Sequence, residues 1–75
     1  MEIRDVFARN LRRLRQKKGL SQEALAHEAG VDRTYISALE RSVYGASIDM
    51  MDKLAKVLEI EPAELLNINS SDEVN

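Results

Sequence analysis

The chain has no cysteine, no tryptophan, one proline, one histidine and three glycines in 75 residues. Without cysteine, neither a disulfide nor a thiolate metal site can form. This fits a reducing compartment, and a cytoplasmic location is the expectation. No apolar run exceeds three residues, so nothing in the sequence can span a membrane or act as the apolar part of a signal peptide. His27 stands alone beside Glu28, whereas a metal site needs several ligands at suitable spacing. Ser21, Ser37 and Ser47 lack the histidine and carboxylate that activate a serine nucleophile. There is no P-loop or dinucleotide glycine pattern. These absences predict a non-enzyme with no cofactor and no metal.

Seventy-five residues make one small domain. A chain of this size buries only about 60% of its unfolded surface, so its core must be compact. The net charge of -2 by itself argues against a nucleic-acid partner, but its distribution argues for one. Residues 1–45 carry nine Lys and Arg against six Asp and Glu, and residues 46–75 carry two against seven. A basic first half and an acidic second half suggest one face for an anion and another for a different contact.

The most informative stretch is Ser21–Arg41, SQEALAHEAGVDRTYISALER. Ser21 is a good N-cap, because its hydroxyl can accept from a first-turn amide. Leu25, Ala26 and Ala29 recur at helical spacing over Gln22–Ala29. Gly30 can end that helix in the left-handed conformation. Val31 plugs the turn, and Asp32 caps a further helix, Arg33–Arg41. On that helix Ile36 and Leu39 face inward with Asp32, and Glu40 lies at the edge. Thr34, Ser37, Ala38 and Arg41 face outward, flanked by Arg33. Two short helices joined by a glycine turn make a helix-turn-helix unit.

Elsewhere, Glu2–Lys18 reads as a first helix with the apolar stripe Ile3, Val6, Phe7, Leu11 and Leu14. Its basic run, Arg12–Lys18, could touch phosphates, but reads first as a solvated face that complements the helix dipole. Gly19 closes it. Ser42–Ala46 is a loop, and Ser47 caps a fourth helix with the stripe Ile48, Met51, Leu54, Ala55 and Leu58. Pro62 opens a short fifth helix that ends at Leu65 and Leu66. The domain spans residues 1–68, and 69–75 form a flexible acidic tail.

The sequence resembles the phage-repressor and Cro type of helix-turn-helix domain, the XRE family, over about residues 3–66. The residues that carry the resemblance are Gly19-Leu20-Ser21-Gln22, Leu25-Ala26, Gly30, Ile36-Ser37, Glu40-Arg41, Leu54-Ala55, Leu58 and Pro62. The chain is most similar to short stand-alone members, such as restriction–modification controller proteins, small antitoxins and phage regulators. The resemblance implies an all-α, compact five-helix lambda-repressor-like domain that binds a double-stranded DNA operator, usually as a homodimer. It also implies an ion pair between Arg15 and Glu40 across two helices, and an RNA polymerase contact through Glu23. Three positions depart from the pattern. Ser42 and Glu59 stand where glycine is common, and Ala46 where proline is. A left-handed Glu59 costs more than glycine.

A recognition helix puts its N-terminal half into the major groove. Arg33, Thr34, Ser37 and Ala38 are then the base-contacting residues. Arg33 matches the two acceptors of guanine with two parallel donors. Gln22, Tyr35, Arg41, Ser42 and Tyr44 are placed to meet phosphates. Met50, Val57, Leu66 and Ile68 are apolar and least needed by the core, so they form the expected dimer seam. The competing reading is a protein–protein module of the same fold, an antitoxin or adaptor. Such a module would carry apolar or acidic residues on the outer face of the third helix.

Overall fold

A computed structural model describes residues 2–69. Four α-helices, α1 (Ile3–Lys17), α2 (Gln22–Ala29), α3 (Arg33–Glu40) and α4 (Ile48–Leu58), are followed by a 3-10 helix, Pro62–Leu66. No strand occurs among the described residues. The fold is therefore all-α, as expected, with the fifth helix in its tighter 3-10 form. Of the tail expected over 69–75, residues 70–75 lie outside the described residues.

Helices α2, α3 and α4 each begin where a side chain satisfies an amide of the first turn. Ser21 Oγ accepts from Ala24 N at 3.0 Å, Asp32 Oδ1 from Thr34 N at 2.8 Å, and Ser47 Oγ from Met50 N at 3.0 Å. Each such cap contributes about 1 kcal/mol. Helix α2 ends on Gly30 at φ +73°, with Val31 N bonded back to Ala26 O at 2.9 Å. That left-handed step carries the chain from α2 into α3.

The core draws on every element: Phe7, Leu11 and Leu14 from α1, Leu25, Ala26 and Ala29 from α2, Ile36 and Leu39 from α3, Leu54, Ala55 and Leu58 from α4, and Leu65. Helix α2 packs on α3 and α4, while α1 packs on α3 and the 3-10 helix. Two residues of the expected stripes are exposed, Ile3 and, at 79%, Ile48. Both are the first residue of a helix, and the stripe there extends past the body it would pack on.

The two departures from the family's glycines are both left-handed in fact. Ser42 has φ +65° and Glu59 has φ +59°. Each is held by a side chain of the first helical segment. Ser42 Oγ donates to Asp5 Oδ1 at 2.6 Å, and Lys18 Nζ pairs with Glu59 Oε1 at 2.6 Å. The Lys18 ammonium, through its hydrogen bond first and its charge second, holds the Glu59 carboxyl below its ordinary value.

Candidate nucleic-acid interface

Helix α3 is fixed from behind and open in front. Behind it, Ile36 and Leu39 are fully buried. At its end Glu40 receives Arg15 in a two-pronged bond, Nε to Oε2 at 2.6 Å and Nη2 to Oε1 at 3.0 Å. The side chains are 10% and 3% exposed. The third nitrogen of Arg15, Nη1, donates to Leu20 O at 2.8 Å, so one guanidinium ties α1, the α1–α2 turn and α3 together.

In front, Arg33 and Thr34 are exposed and Ser37 is half-buried. Asp32 Oδ1 is occupied by Thr34, accepting from its backbone N–H and, at 2.7 Å, from its hydroxyl. Those two bonds, with a smaller effect from the Arg33 charge, hold the Asp32 carboxyl below its ordinary value. The Thr34 hydroxyl hydrogen is thereby taken. What Thr34 presents outward is a methyl group and oxygen lone pairs. Arg33 keeps its fork of donors exposed at the first turn.

Ala38 corrects the helical-wheel expectation. It is 5% exposed, not outward-facing. The chain after α3 turns back over it, with Val43 N bonded to Ala38 O at 2.9 Å. Ala38 thus sits in a recess bordered by Thr34, Tyr35, Arg41, Val43 and Tyr44. The Tyr35 and Tyr44 rings stack across this recess, with centroids 6.4 Å apart and planes at 29°.

The residues expected at phosphates are arranged around the ends of α3. Gln22 Nε2 donates to Glu40 Oε1 at 3.1 Å, which uses one of its two amide hydrogens and leaves the other. Arg41 follows the last turn of α3 as its C-cap, and its Nε donates to Ser37 Oγ at 3.3 Å. Ser42 is half-buried and committed to Asp5. Tyr44 is exposed. Glu23 is exposed in the first turn of α2, beside a groove shared with His27 and Arg33.

The expected seam residues divide. Met50, Val57 and Leu66 are half-buried against the core, and Ile68 is exposed. Leu66 also borders an apolar recess of 290 Å³ with Ile3, Phe7, Ala46 and Met51. Asn10 holds this end of the molecule. It is fully buried, and its Nδ2 donates to Leu65 O and Asn67 O, both at 3.0 Å. Sequence reasoning passed over it, although a signal was present. Asn10 lies three residues after Phe7 and four before Leu14, a polar residue on an apolar stripe.

Among the described residues no three His, Asp or Glu side chains gather as a metal site. No described helix is long and apolar enough to cross a membrane.

Comparison with known proteins agrees with this geometry. A Neisseria meningitidis protein described as a hypothetical transcription factor is 42% identical over 87% of this chain, a match spanning 61% of that protein's length. The crystal structure of the restriction-modification controller protein C.AhdI from Aeromonas hydrophila superposes with a TM-score of 0.79 at 47% identity, covering 83% of this chain and 94% of that one. The biofilm master regulator SinR, solved in complex with DNA, superposes with a TM-score of 0.77 at 32% identity, covering 81% and 98%. The helix-turn-helix family HTH_3 matches residues 11–65. The chain belongs to that family, the XRE type, which comprises DNA-binding transcriptional regulators and not enzymes.

Proposed function

We propose that this protein is a sequence-specific transcriptional regulator that binds double-stranded DNA as a homodimer, with α3 in the major groove. The observation that carries the reading is the outward row of α3. Arg33, Thr34 and Ser37 are short or guanidinium-tipped, and the one acid of α3, Glu40, is turned inward onto Arg15. A protein-docking face would have kept apolar or acidic groups there. Arg33 reads guanine through O6 and N7. Thr34, with its hydroxyl hydrogen engaged, meets a thymine methyl or accepts from a base amino group. Ser37 hydrogen-bonds a base one turn on. Gln22, Tyr35, Arg41 and Tyr44 set register on the backbone. Ser42, whose hydroxyl and amide hydrogens go to Asp5 and Leu39, has none left to donate.

A single small domain touches too few base pairs for high specificity, so two copies read an inverted repeat. The seam is formed by Met50, Val57, Leu66 and Ile68, in the acidic half and away from the reading helix. Glu23, exposed on α2, meets RNA polymerase when the protein stands on DNA. The deciding experiment is selection of bound fragments from a random duplex pool. An enriched inverted repeat with a guanine in each half-site supports the reading. Recovery of unenriched DNA, or a monomeric mass at tens of micromolar protein, counts against it.

A further inference from the structure

The basic run of α1 reads in the sequence as a solvated face, but the fold sets part of it against the end of the reading helix. Along α1 lies a groove of 430 Å³ whose α1 wall carries Arg9, Arg12, Arg13 and Gln16 and whose opposite wall carries Arg41. Arg12 and Gln16 are exposed one turn apart on the same side of the helix. Two acids also border the groove, Asp5 and Glu40. Glu40 is already matched by the two-pronged grip of Arg15. Asp5 lies half-buried and accepts the Ser42 hydroxyl. The arginines therefore outweigh the acids, and the groove is cationic.

Not all of its arginines point the same way. Arg9 Nη2 reaches Ile68 O at 3.1 Å, and Arg13 Nη2 reaches Asn10 Oδ1 at 3.4 Å. Arg12 and Gln16 line the groove from α1, and Arg41 lines it from the end of α3. Two guanidinium forks and an amide, opening next to the C-terminal end of the helix that reads bases, have the chemistry of a seat for one phosphodiester. We propose that Arg12, with Gln16 and Arg41, grips a backbone phosphate at the edge of the major-groove site. This rests on the DNA reading above and extends the interface from the helix-turn-helix onto α1.

The test uses the duplex recovered from the random pool. Binding of the wild type, Arg12→Ala, Arg12→Lys and Lys53→Ala is followed by fluorescence anisotropy across a salt series. Lys53 is an exposed cation of the acidic half and serves as the control. Arg12→Ala flattens the slope of log K against log salt by about 0.9 for each protomer. Arg12→Lys keeps most of the slope, Lys53→Ala keeps all of it, and all three variants melt with the wild type. A second arm places one uncharged methylphosphonate at each backbone position in turn. The wild type loses affinity at one position per half-site where Arg12→Ala loses nothing further. A wild-type slope and a wild-type methylphosphonate profile in Arg12→Ala overturn the phosphate seat and leave the DNA reading standing. Failure of the wild type to select or bind any duplex brings down the DNA reading itself.

Discussion

Replacing Glu40 by alanine strands a buried cation that makes three hydrogen bonds. Arg15 makes two bonds to Glu40 and one to the Leu20 carbonyl, and its side chain is 10% exposed. In Glu40→Ala only the Leu20 bond remains, and water reaches the guanidinium poorly. Breaking one side of a buried pair costs about 3–5 kcal/mol, mostly because the other charge is left without compensation. A domain of 75 residues has roughly 4–11 kcal/mol in total. The variant should lose about a quarter of its stability or more, read as a lower urea midpoint in circular dichroism at unchanged m-value. Glu28→Ala, an exposed acid on α2, should stay within about 0.5 kcal/mol of wild type. The sign of the mechanism is tested by the double variant Arg15→Met, Glu40→Leu. With the stranded charge removed as well, it should be more stable than Glu40→Ala alone. Equal midpoints for Glu40→Ala and Glu28→Ala, or a double variant weaker than Glu40→Ala, would refute the reasoning.

Arg33→Ala should lose about 1–3 kcal/mol on the selected duplex and relax preference at one guanine per half-site, checked by anisotropy against a scrambled duplex. Equal losses on both would assign Arg33 to a phosphate. Asn10→Ala leaves the Leu65 carbonyl buried without its donor, at about 1–3 kcal/mol, and should speed amide exchange over residues 65–67 before the rest of the domain. Asp32 and Glu59 both titrate below their ordinary values of 3.8 and 4.5. Their contribution is complete above those values and fades as pH falls through the lowered ones, so Lys18→Met should flatten the acid limb of a stability–pH curve. Glu23→Lys should bind DNA as wild type does and alter transcript levels in a reporter assay. Unchanged transcript would remove the polymerase contact.

The caps were legible because each is a local chemical event. Ser21, Asp32 and Ser47 announce a helix start whatever surrounds them, and all three accept the expected amides. The turn at Gly30 is legible for the same reason. Ala38, Ile3 and Ile48 were misplaced because periodicity gives a direction around an axis but not what stands in that direction. The wheel points Ala38 outward, yet the loop after α3 closes over it. It points Ile48 inward, yet the body has ended there. The place of Asn10 on the apolar stripe of α1 signals its burial. Its partners, like the Asp5–Ser42 bond, join residues far apart in the chain, and no local pattern encodes them.

The two left-handed residues outside glycine give α1 a role beyond packing. One is fastened near its start by Asp5 and the other at its end by Lys18, thirteen residues further on. At 1.5 Å per residue these fastenings lie about 20 Å apart and carry a fixed rotation of 100° per step. The helix acts as a gauge rod between the loop that enters α4 and the bend that leaves it. Adding one residue between the fastenings would turn them out of phase by that same angle, so that only one could close. The length of α1 thus matches the spacing of two joints, one on either side of α4.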